Sequence, residues 1–258
     1  MKNKKPKVIL LVAGEGKRLR PYTLDRPKCM VEVDGISLID RQLSILKAEG
    51  LDDIVMIGGY KADMLKRKKV ELKINHRYYE TNMVWTLFSQ EEELEGDVIV
   101  SYGDIVYSRK ILRLLLNSKA DIAVTIDKEW EGYWSARNEN PLDDAETLKL
   151  RDDGSISEIG QKPESLNEIE GQYMGLMKFS DKGIKQMKDV FHEAVNSGSL
   201  LDKPVEISYM TDLLQTIIIS GGVVTSIPVH DPWVEIDTVD DLTSSNTYER
   251  IKSIFNEY

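Results

Sequence analysis

A glycine-containing turn with an excess of positive charge lies near the start of the chain. Gly14 and Gly16 follow an apolar run at 8–12, and five basic side chains lie close behind: Lys17, Arg18, Arg20, Arg26 and Lys28. Because glycine has no Cβ, the backbone N–H groups of such a turn can approach phosphate oxygens closely. The pattern favours a binding site for a phosphorylated ligand, and a solvated charged turn is the alternative.

Two familiar nucleotide-binding motifs do not match this turn. Leu19 stands where the dinucleotide fingerprint requires glycine or alanine, and the Gly-Lys-Ser/Thr of a P-loop does not occur in the sequence. Any nucleotide bound here is therefore held by a different arrangement.

Three carboxylates are placed where they could hold a divalent metal ion. Asp104 follows a predicted strand at 97–101, and Glu235 and Asp237 are two residues apart in a strand-like segment. Side chains at i and i+2 share one face of a strand. Mg²⁺ is usually bound by one or two carboxylates together with phosphate oxygens and water. For a single aspartate at a strand end, a cap or a turn is an equally good interpretation.

The composition limits the class of protein. The 258 residues carry a formal net charge of -10, which argues weakly against duplex DNA or an anionic membrane as the main partner. One cysteine, Cys29, leaves no internal disulfide and no cysteine-based zinc site. The longest clean apolar run, at 8–13, is too short to span a bilayer. We expect a soluble, cytoplasmic protein.

The elements that must position these residues alternate in type over the first half of the chain. Buried, β-branched runs predict parallel strands, and helical spacing of apolar residues separates them. The predicted strands lie at 8–12, 53–57, 97–101 and 122–126, and the predicted helices at 37–49, 83–94 and 109–117. This order predicts an α/β fold with a Rossmann-like, doubly wound and mostly parallel sheet.

The second half is more polar and more irregular. A hairpin is predicted at 147–150 and 155–159, joined by Asp152-Asp153-Gly154. Further strands are predicted at 172–179 and 223–228, and helices at 181–196, 210–220 and 240–258. We expect one domain over 1–258, with a first half at 8–127, a second half with a small substrate-facing β insertion at 128–239, and a C-terminal helix at 240–258.

The turn resembles the signature of a known enzyme family. Gly14-x-Gly16-x-Arg18-x-x-Pro-x-Thr, followed by Pro-Lys28, is similar to the motif of nucleotidyltransferases that join a nucleoside triphosphate to a sugar phosphate or alcohol phosphate. The resemblance implies a GT-A-like fold, a catalytic role for Lys28 and a phosphate-binding role for Arg18. It also implies that the first half of the chain binds a nucleotide and the second half binds an acceptor. Lys17 departs from the family, which usually has threonine or serine there.

The motif Glu-x-Asp-x-x-Asp-Asp-Leu at 235–242 is most similar to the corresponding motif of bacterial choline-phosphate cytidylyltransferases. That resemblance implies a Mg²⁺ ion held by Asp104 and Asp237 with help from Glu235. It also implies that the nucleotide contacts the following residues: Val12, Ala13, Gly14, Glu15, Gly16, Lys17, Gly58, Tyr60, Thr81, Asn82, Ser101 and Gly103.

The acceptor side is suggested by fewer features. Lys162 in Gln-Lys-Pro resembles the family's acceptor-phosphate lysine, and Gly175 fits the small residue before the acceptor pocket. Trp134 and Trp233 are candidates for the wall of the acceptor-binding pocket. Trp130, Tyr133 and Trp134 form either a cage for an amine, through cation–π attraction, or the packed side of a helix.

The expected activity is Mg²⁺-dependent transfer of CMP from CTP to a small phosphorylated or phosphonate acceptor, with release of pyrophosphate and with no nucleic acid or membrane as partner. If the protein is an enzyme of a different specificity, the alternative activity is that of a sugar-1-phosphate uridylyl- or thymidylyltransferase. A nucleotide-sensing module without activity is the alternative of another class. A GT-A glycosyltransferase would need an Asp-x-Asp at the third strand, and the residue two before Asp104 is Tyr102.

Overall fold

The computed structural model describes residues 5–256. In chain order the strands are β1 (Lys7–Val12), β2 (Glu32–Val33), β3 (Ile36–Ser37), β4 (Ile54–Gly58), β5 (Glu71–Ile74), β6 (Val98–Tyr102), β7 (Ile105–Tyr107), β8 (Ile122–Asp127), β9 (Leu148–Leu150), β10 (Ile156–Ile159), β11 (Gln172–Phe179), β12 (Ser199–Leu200), β13 (Lys203–Pro204), β14 (Thr225–Val229) and β15 (Trp233–Glu235). The α-helices are α1 (Leu38–Ala48), α2 (Met83–Phe88), α3 (Arg109–Asn117), α4 (Trp130–Arg137), α5 (Asp181–Ser197), α6 (Met210–Ile219), α7 (Val239–Thr243) and α8 (Ser245–Asn256).

Seven strands form the central sheet, in the order β14-β8-β11-β6-β1-β4-β5. Strand β11 is antiparallel to both of its neighbours, and the other pairs are parallel. The sequence from Val8 to Val12 is buried throughout, as expected for a strand covered by helices on both faces. The prediction of a mostly parallel α/β sheet is confirmed.

Two helix predictions were wrong in extent. The helix predicted at 83–94 ends at Phe88, and a 3-10 turn follows at Glu91–Glu93. There the carboxylate of Glu93 forms ion pairs with Lys7 of β1 at 2.7 Å and with Lys73 of β5 at 3.0 Å. Because these strands are distant in sequence, the local spacing of apolar residues does not reveal the contacts. The helix predicted at 240–258 is divided into α7 and α8, because Ser244 between them is extended, with φ -65° and ψ 135°. Residues 257–258 lie outside the described residues.

The strand-like segment at 233–237 is also shorter than predicted. Strand β15 ends at Glu235, and the chain then enters the capping box of α7, in which Thr238 Oγ1 accepts a hydrogen bond from the backbone N–H of Asp241. The hairpin prediction holds, with β9 and β10 paired antiparallel. No helix among residues 5–256 is both long enough and apolar enough to cross a membrane.

Candidate active site

The turns after β1 and β6 meet at one edge of the sheet, because these strands are parallel neighbours. The N–H of Gly103 donates to the carbonyl of Leu11 at 3.0 Å. A Cβ at Gly103 would lie 2.6 Å from Val12 Cγ1, so only glycine allows this approach. The glycine turn and Asp104 are thereby placed side by side.

A second pairing carries the late carboxylates to the same place. Strand β7 follows Asp104 directly and pairs antiparallel with β15, with Glu235 opposite Ile105. The N–H of Ile236 donates to the carbonyl of Asp104 at 3.1 Å. Asp104 and Asp237 therefore become neighbours although they belong to opposite halves of the chain.

Lys28 is held over this point by the glycine turn. Its N–H donates to the carbonyl of Gly14 at 3.2 Å, and Thr23 Oγ1 donates to the carbonyl of Gly16 at 2.7 Å. Gly16 has φ +64°, and a Cβ there would lie 3.0 Å from the Lys28 side chain. The sequence requires glycine at this position for both reasons.

The charged side chains form one cluster. Lys28 Nζ lies 2.5 Å from Asp104 Oδ2 and also contacts Asp237 Oδ1, while Arg18 lies 3.0 Å from Asp237 Oδ2. Burial opposes a charged Lys28, but the two carboxylates outweigh it and raise the lysine pKa above its usual value. Burial likewise opposes ionisation of Asp237, but Lys28 and Arg18 outweigh it and lower the pKa. Lys28 and Asp237 are therefore both charged at neutral pH.

Glu235 lies on the far side of Asp237 and is anchored by Arg137, whose guanidinium binds Glu235 Oε2 at 2.9 Å and Asp241 Oδ1 at 2.8 Å. Burial and the nearby charge of Asp237 raise the pKa of Glu235. Asp241 in turn accepts hydrogen bonds from the N–H groups of Asp237 and Thr238. The loop that presents Asp237 is thus fixed by an ion-pair network.

The cluster is compatible with a divalent cation. Asp104 Oδ1 is buried and has no hydrogen-bond partner among the described residues. Such an atom is costly unless a ligand satisfies it. No group of three or more His, Cys, Asp or Glu side chains in residues 5–256 forms a ready-made metal cage. Two carboxylates with phosphate oxygens and water are the arrangement that Mg²⁺ commonly adopts.

One cavity, of about 180 Å³, opens beside the glycine turn on the nucleotide side. Its lining includes these sequence-predicted nucleotide residues: Val12, Ala13, Gly14, Thr81, Asn82 and Gly103. An adjoining cavity is lined by Glu15, Gly16, Lys17 and Arg18 together with Lys28 and Asp237. The structure therefore brings nine of the predicted nucleotide residues to the two cavities.

Three other predicted nucleotide residues lie elsewhere. Ser101 is fully buried and donates to Gln42 Oε1 at 2.9 Å, Tyr60 donates to the carbonyl of Leu24, and Gly58 packs against Leu65. These three residues line neither cavity.

Tyr78 lines both nucleotide-side cavities and was not among the predicted contacts. A Cβ at Gly59 would lie 2.4 Å from the Tyr78 side chain, so the glycine after β4 makes room for it. The sequence signal that could have identified it is its position three residues before Thr81, a predicted nucleotide contact.

A larger cavity, of about 330 Å³, lies on the other side of the charged cluster. Arg18, Lys28, Asp104, Asp237 and Glu235 form one end of it, and Trp134 lines it as predicted. The remaining lining comes from residues that the sequence did not single out: Met83, Tyr102, Asp144, Glu146, Gln172, Tyr173, Tyr209 and Thr211. They come from separate elements, and no local motif marks them.

The other predicted acceptor residues do not line this cavity. Lys162 is exposed, and its Nζ donates to the carbonyls of Leu142 and Asp143. Trp233 is 1% exposed, and its Nε1 donates to Asp127 Oδ2 at 2.8 Å. Gly175 has φ +74°, and a Cβ there would meet the ring of Tyr102 at 2.6 Å, so it shapes the wall from behind.

The aromatic residues of α4 pack within the protein. Tyr133 and Trp134 form a buried cluster with Trp233. The guanidinium of Arg137 lies over the rings of Tyr133 and Trp134, at 5.2 and 5.1 Å from their centroids. Of the two interpretations left open by the sequence, these contacts favour packing, with a protein cation in the place of a ligand.

The fold and the charged cluster together define a nucleotidyltransferase-type site. The family described as "MobA-like NTP transferase domain" matches residues 8–164. The chain belongs to this family, as its sequence signature suggested.

Among curated proteins, the chain is 40% identical over 246 residues to the CTP:phosphoglutamine cytidylyltransferase of Campylobacter jejuni, covering 91% of this chain and 96% of that protein. It is 37% identical over 105 residues to a choline-phosphate cytidylyltransferase of Streptococcus pneumoniae, covering 39% of this chain and 46% of that protein.

Two solved structures share the fold at lower identity. The CTP:phosphocholine cytidylyltransferase from Streptococcus pneumoniae superposes with a TM-score of 0.73 at 23% identity, covering 96% of this chain and 100% of that chain. The inositol-1-phosphate CTP transferase from T. maritima gives 0.75 at 20% identity, covering 97% and 96%.

Proposed function

We propose that this protein is a Mg²⁺-dependent cytidylyltransferase that transfers CMP from CTP to a small phosphorylated acceptor and releases pyrophosphate. The observation that carries the proposal is the cluster of Lys28, Arg18, Asp104 and Asp237 between two cavities. A curated cytidylyltransferase similar over nearly its whole length supports CTP as the nucleotide.

The chain's own residues supply positioning and charge. The nucleotide cavity holds the base beside Thr81 and Asn82, with the triphosphate against the open backbone of Gly14. Lys28 and Arg18 neutralise charge on the α-phosphate and on the departing pyrophosphate. An acceptor phosphate oxygen attacks the α-phosphorus in line, so the reaction needs no covalent enzyme intermediate.

Asp104 and Asp237 would hold Mg²⁺, with Glu235 beside them, and a bound Mg²⁺ supplies neutralisation of phosphate charge. Lys28 contacts both carboxylates, so it and the cation share the same anionic groups. A cation held by the two carboxylates would leave the Lys28 ammonium group free to contact the α-phosphate.

The cavities also support the division of the chain. We infer a single domain in which 8–127 binds the nucleotide and 128–239 completes the acceptor side. We also infer that the enzyme works in the cytoplasm, where CTP and phosphorylated small molecules are made.

The test is pyrophosphate release with each of the four NTPs and dTTP and a panel of phosphorylated acceptors. We expect CTP to give the highest kcat/KM and Mg²⁺ to be required. Asp104→Asn should lower kcat by about 10²–10³, the scale for removing one charge-stabilising group. Asp52→Asn, the same change at an exposed residue that lines none of these cavities, is the matched control and should leave kcat within about twofold. A preference for UTP or dTTP would contradict the cytidylyl assignment, and NTP binding without turnover on any acceptor would indicate a sensing module.

A further inference from the structure

One carboxyl group that lines the acceptor cavity has no protein cation paired with it. Glu146 lines the cavity and forms no ion pair with any residue in 5–256. Lys203, the cation whose charge acts on Glu146, is already bound to Asp212 at 2.7 Å. Burial and the charge of Asp212 raise the pKa of Glu146 to about 7. A carboxylate in this setting lacks a positive partner.

A hydrogen-bond donor on the same cavity also lacks a partner. Trp134 is 3% exposed and lines the cavity, and its Nε1 has no hydrogen-bond acceptor among the described residues. Buried indole N–H groups are normally satisfied, so an unsatisfied one beside a ligand cavity indicates an acceptor atom on the ligand.

Two of the four aromatic residues that line the cavity already face a protein cation, which leaves less open ring surface for a trimethylated amine. Such a cation has no N–H and is recognised mainly by open ring faces. Here Arg137 lies over Trp134, and Lys203 lies over Tyr209 at 5.3 Å from its centroid. A primary ammonium group can instead donate hydrogen bonds to a carboxylate.

We propose that the acceptor carries a primary ammonium group bound by Glu146 and an oxygen that accepts a hydrogen bond from Trp134 Nε1. This inference rests on the proposed function, because it describes the acceptor of that reaction. The phosphate end of the same molecule lies at Lys28 and Arg18, which line the same cavity. The acceptor class is therefore a phosphorylated amino compound with a second polar group, such as an amino acid.

The test compares four probes: O-phosphoserine, phosphoethanolamine, phosphocholine and glycerol 3-phosphate. Binding to the enzyme with Mg²⁺ and a non-hydrolysable CTP analogue is measured by calorimetry, alongside pyrophosphate release with CTP. We expect the two primary amines to bind about tenfold or more tightly than the other two, the effect of one charged hydrogen bond. Tightest binding of phosphocholine, equal binding of all four, or no measurable binding of the primary amines would overturn the proposal.

Two substitutions separate the two contacts. Glu146→Gln should weaken both primary amines by about 10- to 100-fold and leave CTP and glycerol 3-phosphate unchanged. Trp134→Phe should weaken O-phosphoserine more than phosphoethanolamine, because only the former has a carboxylate for the indole N–H. Glu139→Gln, the same change at an exposed residue outside the cavity, is the control.

Unchanged binding of the primary amines in Glu146→Gln would refute the ammonium site. Such a result is distinguishable from failure of the proposed function, which would show as an absence of CTP binding or of CTP-dependent pyrophosphate release with every acceptor.

Discussion

Replacing Lys28 by methionine tests the idea that one side chain serves both the nucleotide and the metal carboxylates. The substitution keeps the length of the side chain and removes its charge. Lys28 contacts Asp104 and Asp237, and these three side chains are only 14–16% exposed. Without the ammonium group, two carboxylates face each other with Arg18 as the nearest remaining cation.

The expected result has two parts. Turnover should fall by about 10²–10³, because a group that stabilises transition-state charge is lost. Binding of Mn²⁺ to the nucleotide-free enzyme should tighten by about tenfold or more. The attraction between two opposite unit charges 4 Å apart is about 4 kcal/mol at an effective dielectric constant of 20. Without the competing ammonium group, a part of this energy is added to the binding free energy of the metal ion. The size of the gain is reduced by solvent around the cluster.

Electron paramagnetic resonance of Mn²⁺ measures the second part without any dependence on activity. Lys162→Met is the control, since this lysine has the same charge but binds carbonyls outside the cavity. Metal affinity that stays unchanged or weakens in Lys28→Met, with fold retained by circular dichroism, would refute the shared-carboxylate reasoning.

Three further outcomes follow from other contacts. Arg137→Met should lower the free energy of unfolding by about 3–5 kcal/mol in urea titrations, since it leaves the buried Asp241 and the partly buried Glu235 without their cation; an unchanged midpoint would contradict this network. Gly16→Ala should cost about 1–3 kcal/mol of stability and also reduce turnover, because φ is +64° and the Cβ would push on Lys28; full activity would show that the turn can adjust. The KM of a primary-amine acceptor should fall as pH rises from 6 to 8, because Glu146 has a pKa of about 7 and ionises over this range while the amine stays protonated. The charged groups around Glu146 are Asp212, Lys203 and Asp144. In the Glu146→Gln variant, the KM of the primary-amine acceptor should no longer show this fall between pH 6 and 8.

Much of the fold was predictable because local patterns match the final elements. The spacing of apolar residues placed helix α3 and strand β11 at their observed bounds. The glycine turn was equally visible, since Gly16 and Lys28 are close in sequence and pack directly together. The predicted end of α2 failed because Glu93 binds Lys7 and Lys73, residues of distant strands.

What the sequence by itself determined is the chemistry of the phosphate and metal end: a cationic glycine turn and a few carboxylates, each carried by a short motif. Only the tertiary structure decided which side chains meet across the acceptor cavity. Pairing of β7 with β15 brings Asp237 to Lys28, while Glu146 and Trp134 reach the same space from separate elements. It also assigned Lys162 and Trp233 to contacts outside that cavity. The physical reason is that a motif fixes local backbone geometry, whereas a cavity wall is assembled from long-range packing that leaves no local pattern in the chain.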